Sequence, residues 1–136
     1  MKNLILNSKP IHKDAGLLVL RVFVGVTMLA SHGWGKMLKL LAGDTSFADV
    51  LGMGETASLV LAVFSEVICS AFLALGLFTR ASLIPLIITM LVAVFIVHAD
   101  DPFGKKEFGL LYLIPYITLL LTGPGKFSLD KLISKA

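Results

Sequence analysis

Four long apolar stretches restrict the folds that this chain can adopt. They cover residues 15–31, 58–78, 81–97 and 108–122. A helix that crosses a hydrocarbon layer of about 30 Å needs about 20 residues. The first three stretches reach this length once their interfacial flanks are included, whereas the fourth is shorter and contains Pro115. Because lipid cannot hydrogen-bond free backbone groups, the short connections between stretches must join helices that pack side by side.

The composition supports a membrane protein. Hydrophobic residues make up 57% of the 136 residues and charged residues only 15%, whereas a soluble domain carries about 25% charged residues. The net charge of +3 is too small to indicate nucleic-acid binding. A single cysteine, Cys69, excludes a disulfide framework, a CxxC pair and a multi-cysteine metal site. We therefore expect an all-α integral membrane protein, an up-down-up-down bundle of four helices.

The polar segments divide the chain into a basic N-terminal segment (1–14), a four-helix transmembrane domain (15–125) and a polar tail (126–136). One side of the predicted bundle carries seven basic residues: Lys2, Lys9, Lys13, Arg80, Lys126, Lys131 and Lys135. The other side carries four: Lys36, Lys39, Lys105 and Lys106. The positive-inside rule then predicts a multi-pass protein of the bacterial cytoplasmic (inner) membrane with both termini cytoplasmic.

Two local patterns near the first stretch need an interpretation. Ser46 and Asp49 have the spacing of a capping box, and the nearby apolar residues predict a short interfacial helix between the first two spans. The basic start followed by residues 15–31 also resembles a signal peptide. Because Arg21 interrupts that apolar run, we interpret it as a retained membrane helix.

Arg21 and Glu66 are charged residues inside apolar stretches. Such a charge costs about 2.5–3.5 kcal/mol at the centre of a membrane helix. Arg21 should lie about 16 Å below His32, and Glu66 about 12 Å below the same outer face. The sequence therefore predicts an Arg21–Glu66 ion pair between antiparallel neighbours. Such a pair either only fixes the register of two helices or belongs to a site for a substrate, a quinone head group or protons.

Further candidate residues lie near the outer face. His32 and Lys36 end the first helix on the same face as Arg21, and His98 follows the third helix. Histidines at such positions donate hydrogen bonds or carry protons. The two histidines and the nearby carboxylates are chemically adequate for a metal site, but the histidines lack the local spacing of metal ligands, so no metal is assigned. Tyr112 and Tyr116, one helical turn apart, would either stack on a planar ring or pack near the interface.

With these residues placed, the chain resembles the DoxX family of small four-helix membrane proteins over residues 15–130. The motifs that carry the resemblance appear in order along the chain: Leu20-Arg21, His32-Gly33 with Lys36, Ser65-Glu66-Val67, Leu75-Gly76-Leu77-Phe78-Thr79-Arg80, His98 and Gly123-Pro124-Gly125-Lys126-Phe127-Ser128-Leu129-Asp130. Each motif is short, and their order and spacing make the resemblance specific.

The DoxX family is named after a subunit of a membrane thiosulfate:quinone oxidoreductase. The resemblance implies a quinone-linked redox subunit. Under this first hypothesis, Glu66, His32 and His98 would be catalytic residues, and Lys36 would attract an anionic substrate such as thiosulfate. The quinone would be bound by Arg21, Glu66, Tyr112 and Tyr116. The chain carries no haem, flavin or iron–sulfur motif. Electron transfer would therefore need a redox partner subunit or direct reaction between the substrate and a bound quinone.

Two other functions compete with this hypothesis. The chain could be a non-catalytic membrane scaffold or assembly factor, in which the Arg21–Glu66 pair only holds the bundle together and the loops dock a partner. It could also be a small-solute carrier. Four short spans leave little room for a pathway within one chain, so a carrier would have to be a homo-oligomer.

Overall fold

The computed structural model describes residues 5–136, and within them all regular structure is helical. The long helices are α1 (Lys13–Leu41), α2 (Glu55–Leu75), α3 (Thr79–Val97) and α4 (Phe103–Thr122), followed by the short α5 (Leu129–Ile133). The first four residues of the predicted N-terminal segment, including Lys2 from the orientation count, lie outside the described residues.

Three of these helices are long and apolar enough to cross a membrane: α1 with 29 residues, α2 with 21 and α3 with 19. Helix α4 has 20 residues but begins with a charged turn that contains Lys105, Lys106 and Glu107. Large apolar side chains point outward from the helices, such as Phe23, which is 66% exposed, and Leu121, which is 76% exposed. An apolar exterior of this kind is solvated by lipid, which confirms the predicted all-α membrane protein.

Two predicted boundaries were displaced. Helix α1 continues five residues beyond Lys36 to Leu41, and α4 begins at Phe103 instead of Phe108. At the start of α4, polar residues that belong to the helix had been assigned to a connection. The extension of α1 changes which residues lie at its outer end, and it decides the geometry of the site.

The predicted interfacial helix at residues 46–51 is wrong, because the segment between α1 and α2 forms turns and irregular structure. The Asp44 carboxylate accepts hydrogen bonds from the backbone amide and hydroxyl of Ser46, and the Asp49 carboxylate accepts one from the Met53 amide. Such local bonds compete with helical ones. Three glycines in the same segment, at 43, 52 and 54, have positive φ angles that end regular helix.

Helices α1 and α2 pack antiparallel at very short distance. A methyl group added to Gly25 would lie 2.8 Å from the Ser70 carbonyl oxygen, and one added to Gly33 would lie 2.5 Å from the Glu66 carbonyl oxygen. Small residues allow membrane helices to approach in this way. Helix α3 packs on α2, and α4 packs on α3 and returns to α1.

Each of the three spanning helices contains a π-helical turn, at Leu29–Gly33, Phe64–Cys69 and Ala93–Val97. Such turns insert an extra residue into an α-helix and occur frequently at functional sites. The turns of α1 and α2 are in direct contact through Gly33 and Glu66. No sequence pattern predicted these turns, and residues from all three line the cavity described below.

Apolar side chains fill the half of the protein near the α2–α3 turn. Leu73, Leu83, Leu86 and Leu119 are all fully buried there. A smaller cluster around Leu59 packs at the opposite end, beneath the segment that joins α1 to α2. Between these two clusters the four long helices leave an open volume.

Candidate functional site: a cavity with a buried ion pair

The open volume is a cavity of about 440 Å³ bounded by α1 to α4 and by the segment between α1 and α2. Most of its wall is apolar. The side chains on it that can ionise or donate hydrogen bonds are His32, Lys36, Ser58, Glu66, Thr89, His98, Lys105 and Tyr112. The cavity therefore combines an apolar enclosure with a small set of polar groups, which is typical of small-molecule sites.

Lys36 and Glu66 form an ion pair on this wall. Lys36 Nζ donates to Glu66 Oε2 at 2.5 Å. The Glu66 side chain is only 6% exposed, whereas that of Lys36 is 27% exposed. The carboxylate is thus almost enclosed, and the ammonium reaches it from the more open side of the cavity.

The predicted Arg21–Glu66 pair is wrong. The depth of Arg21 was counted from His32 as the level of the outer face, which would put Arg21 level with Glu66. Because α1 extends to Leu41, it is the segment around Gly33 that lies level with Glu66, and Arg21 lies 12 residues, or about 18 Å, further along the helix. Lys36, assigned in the sequence to attracting substrate, takes the place predicted for Arg21.

Arg21 lies outside the cavity wall, at the opposite end of the helices. Its guanidinium donates to the carbonyl oxygens of Pro124 at 2.8 Å and Phe127 at 2.7 Å, and it is 1% exposed. The same guanidinium touches the position that a Cβ on Gly76 would occupy. Arg21 therefore binds the segment after α4 to the α2–α3 turn, and its contacts are structural.

Asp130 completes this network. Its carboxylate accepts hydrogen bonds from the backbone amides of Phe78 at 2.7 Å and Thr79 at 2.9 Å, at the start of α3. Burial alone would raise the pKa of Asp130, but the bonds from Thr79 and Phe78 and the charge of Arg21 hold that pKa below its ordinary value. Sequence analysis missed this role because Asp130 lies 51 and 52 residues after the two amides whose hydrogen bonds it accepts.

Aromatic rings cover the inner side of the cavity. The His32 and Tyr112 rings meet edge to face at 5.5 Å, and the Tyr112 and Tyr116 rings lie 6.1 Å apart. Tyr112 lines the cavity, whereas Tyr116 is fully buried behind it. Of the two predicted ring-stacking tyrosines, only Tyr112 faces the open volume.

At the outer mouth, His98 lines the cavity together with Lys105. The His98 Nδ1 atom lies 2.6 Å from Asp101 Oδ2, and Lys105 Nζ lies 3.8 Å from the same oxygen. The structure thus brings His32, Lys36, Glu66 and His98 of the predicted site to one cavity. Within residues 5–136, no three His, Cys, Asp or Glu side chains form a group that could hold a metal ion.

Several wall residues were missed in the sequence. Phe47, Val50, Leu51 and Met53 lie across one side of the cavity, and Thr89 lies within hydrogen-bond distance, 2.9 Å, of Ser65. Thr89 is a single polar residue in an apolar stretch, and such a residue is as typical of a structural hydrogen bond as of a binding site. Phe47, Val50 and Leu51 were interpreted only as the apolar face of the predicted interfacial helix.

The DoxX family profile matches residues 16–99, more than half of the chain. The chain belongs to the DoxX family. Among related DoxX-like proteins, the Bacillus subtilis protein named "Putative oxidoreductase CatD" is 31% identical over 123 residues, which is 90% of each chain. The Escherichia coli "Inner membrane protein YqjF" is 24% identical over 127 residues, 90% of this chain and 95% of that one. No solved structure matches the chain.

The DoxX-like motifs of this chain fall in two places in the structure. Leu20-Arg21, the 75–80 motif and the 123–130 motif meet in the network of Arg21 and Asp130. His32-Gly33, Lys36, the 65–67 motif and His98 meet at the cavity. The first group holds three parts of the DoxX fold together, and the second provides the polar groups of the candidate site.

Proposed function

We propose that this DoxX protein binds the head group of a membrane quinone in the cavity and acts as the quinone-site subunit of a redox complex. The observation that carries the proposal is the Lys36–Glu66 ion pair, which lies on the wall of an otherwise apolar cavity between helices with lipid-facing exteriors. The oxidoreductase name of the Bacillus subtilis relative agrees with a redox role.

The chemistry of the wall fits a quinone. A quinone head group is flat, has apolar faces and carries two carbonyl oxygens that only accept hydrogen bonds. The cavity offers apolar faces together with donors on His32, Lys36 and Tyr112. Its volume of about 440 Å³ falls within the range of about 300–1,000 Å³ found for ligand pockets. When bound, a quinone would supply two-electron, two-proton redox chemistry.

Lys36 is the residue best placed to orient a carbonyl oxygen. Its ammonium has three N–H donors, so it can keep its bond to Glu66 and donate to a ligand at the same time. Glu66 in turn holds the ammonium at a fixed point on the wall. Charge-assisted hydrogen bonds of this kind are about twice as strong as neutral ones.

The two histidines would hold and move protons. His32 packs edge to face against Tyr112, which limits the orientations of its ring. His98 lies at the mouth beside Lys105. Imidazole is the side chain whose ordinary pKa lies nearest to neutrality, so a histidine at each end of the polar wall provides proton acceptors close to the ligand.

We also propose an orientation of the helices and termini in the membrane. Helix α4 would cross as the fourth member of an up-down-up-down bundle, with its first turn at the outer interface and both termini on the cytoplasmic side of a bacterial inner membrane. The count of basic residues supports this orientation. Electrons would come from a partner subunit or from a substrate that meets the quinone at the mouth of the cavity.

The test is quinone binding by the protein in lipid nanodiscs. Lipid extracts of the purified protein should contain quinone, and a short-chain benzoquinone should bind reversibly. Lys36→Gln and Glu66→Gln should each weaken this binding about 10- to 150-fold, because a hydrogen bond to a charged group contributes about 1.5–3 kcal/mol. Lys39→Gln is the matched control: it lies one turn further along α1, outside the cavity wall, and should bind normally.

Two outcomes would contradict the proposal. Equal benzoquinone affinity in the wild type and Glu66→Gln would show that the ion pair does not take part in quinone binding. Absence of bound quinone and of benzoquinone binding, combined with co-purification of a defined partner protein, would instead support the scaffold function.

A further inference from the structure

Asp101 is an acid at the cavity mouth to which the proposed function gives no role. It lies in the turn between α3 and α4, and its Oδ2 atom is 2.6 Å from Nδ1 of His98. His98 directly follows α3 and lines the cavity. This is the only hydrogen bond that the His98 ring makes within residues 5–136, so Nε2 is left for a ligand or water.

The charge of Asp101 decides which ring nitrogen carries the hydrogen. The hydrogen bond with His98 is the main cause that lowers the pKa of Asp101; burial opposes it, and the positive charges of Lys105 and Lys106 add to the lowering. Asp101 is therefore ionised at neutral pH. An ionised carboxylate has no hydrogen to donate, so Nδ1 of His98 must be the donor in this contact.

We infer that Asp101 is a positioning residue that holds His98 in its Nδ1–H form, so that Nε2 is the atom that exchanges protons with whatever occupies the cavity mouth. Neutral His98 then presents the Nε2 lone pair and accepts a proton there. The protonated ring keeps its bond to Asp101, and the carboxylate stabilises the new positive charge. The inference rests on the proposed function only for the identity of the ligand.

Other charged groups lie near the His98 ring. Lys105 lies 3.8 Å from the carboxylate oxygen that His98 binds, and Lys106 donates to the Ala99 carbonyl oxygen in the same turn. These ammonium groups repel a protonated imidazole. The remaining ionisable groups on the cavity wall are His32, Lys36, Glu66 and Tyr112. Asp100, next to Asp101 in the turn, is exposed.

Nitrogen-15 NMR of histidine-labelled protein in nanodiscs tests the inference directly. The chain has three histidines, and the His98→Gln variant identifies the His98 signal by its loss. In the neutral wild type, Nδ1 of His98 should carry the hydrogen. Asp101→Asn should shift the signal towards the Nε2–H form, because an amide can donate as well as accept. Asp101→Glu retains a carboxylate and should restore part of the Nδ1–H signal.

Asp100→Asn is the matched control, since it removes the neighbouring acid, which makes no hydrogen bond or salt bridge to His98 in the described residues. An Nε2–H form in the wild type would overturn the inference, as would an equal shift in the Asp100 and Asp101 variants. The wild-type spectrum alone shows which ring nitrogen of His98 carries the hydrogen, so the inference can be tested even if the Asp101 variants do not fold. Benzoquinone binding that fails while His98 is in the Nδ1–H form would contradict the proposed function and leave this inference intact.

Discussion

Gly33 lies so close to the backbone of Glu66 that a Cβ atom at position 33 would be 2.5 Å from the Glu66 carbonyl oxygen. This contact joins the π-helical turns of α1 and α2 and fixes their register. Lys36 follows Gly33 by three residues on the same helix, and its ammonium therefore reaches the Glu66 carboxylate. The geometry of the candidate site thus depends on a residue that has no side chain.

Gly33→Ala should destabilise the protein, because the added methyl group would force α1 and α2 apart. Overpacking of this kind costs about 1–3 kcal/mol. Gly35→Ala is the control, since a Cβ there meets nothing within 4 Å and alanine favours helix by about 0.5–1 kcal/mol. Thermal unfolding in detergent should show a lower Tm for Gly33→Ala and an unchanged or higher Tm for Gly35→Ala. Equal Tm values would contradict the close packing.

The two halves of the ion pair should respond differently to removal. Lys36→Gln leaves the nearly enclosed Glu66 carboxylate without its partner and should cost about 3 kcal/mol, whereas the more exposed Lys36 can turn towards water in Glu66→Gln. Replacing both residues with methionine should recover most of the stability. A double-mutant cycle by thermal unfolding measures this coupling. Additive losses would show that the pair does not form.

Much of the fold was predictable because lipid imposes one simple requirement on the chain. Every backbone group in the hydrocarbon layer must be bonded internally, so apolar runs of sufficient length become helices. This identified α1, α2 and α3 and their short connections. Helix ends were harder to predict, because segments such as residues 103–107, which mix charged, small and aromatic side chains, occur equally well in a helix and in a loop.

The site was only partly predictable. Glu66, Lys36, His32 and His98 were recognised as candidates from their chemistry, and the structure brings them to one cavity. Their pairing was not predictable, because depth was counted from His32 and α1 extends nine residues beyond it to Leu41, about 14 Å along the helix. The partners of Arg21 are backbone carbonyls more than 100 residues away, and no side-chain pattern predicts such contacts.

Arg21→Gln should destabilise the protein without changing the cavity. It removes two hydrogen bonds from a buried charged group and leaves the carbonyl oxygens of Pro124 and Phe127 without their donor, at a cost of about 2–5 kcal/mol. Unfolding in detergent measures the loss. The folded fraction should bind the short-chain benzoquinone with wild-type affinity. A weaker affinity in protein that is still folded would show that Arg21 belongs to the binding site after all.

Asp130 should make stability depend on pH in the acid range. Its pKa in the folded protein is below the ordinary value of 3.8, so the unfolded chain binds a proton more readily there than the folded one does. Its contribution to stability is present above about pH 4 and is lost as the pH falls through the folded pKa. Asp130→Asn should be less stable at neutral pH and lose less of its stability on acidification. If the wild type and Asp130→Asn lost the same free energy of unfolding on acidification, the prediction would be wrong.

The segment between α1 and α2 should control how quickly a ligand leaves the cavity. Asp49 accepts a hydrogen bond from the Met53 amide at 2.8 Å and one from the Ser58 hydroxyl at 3.3 Å, which ties this segment to the first turn of α2. Asp49→Ala removes both bonds. A loss of about 1 kcal/mol corresponds to about a fivefold faster dissociation of the short-chain benzoquinone.

Asp44→Ala is the control for this prediction, because Asp44 accepts hydrogen bonds only from Ser46 in the same segment and its other contact is an exposed ion pair with Lys39. Stopped-flow displacement should therefore show faster release for Asp49→Ala and wild-type release for Asp44→Ala. If both variants release the benzoquinone at the wild-type rate, the ligand does not leave beneath Phe47 and Met53, and the route must open elsewhere on the cavity wall, between helices that face lipid.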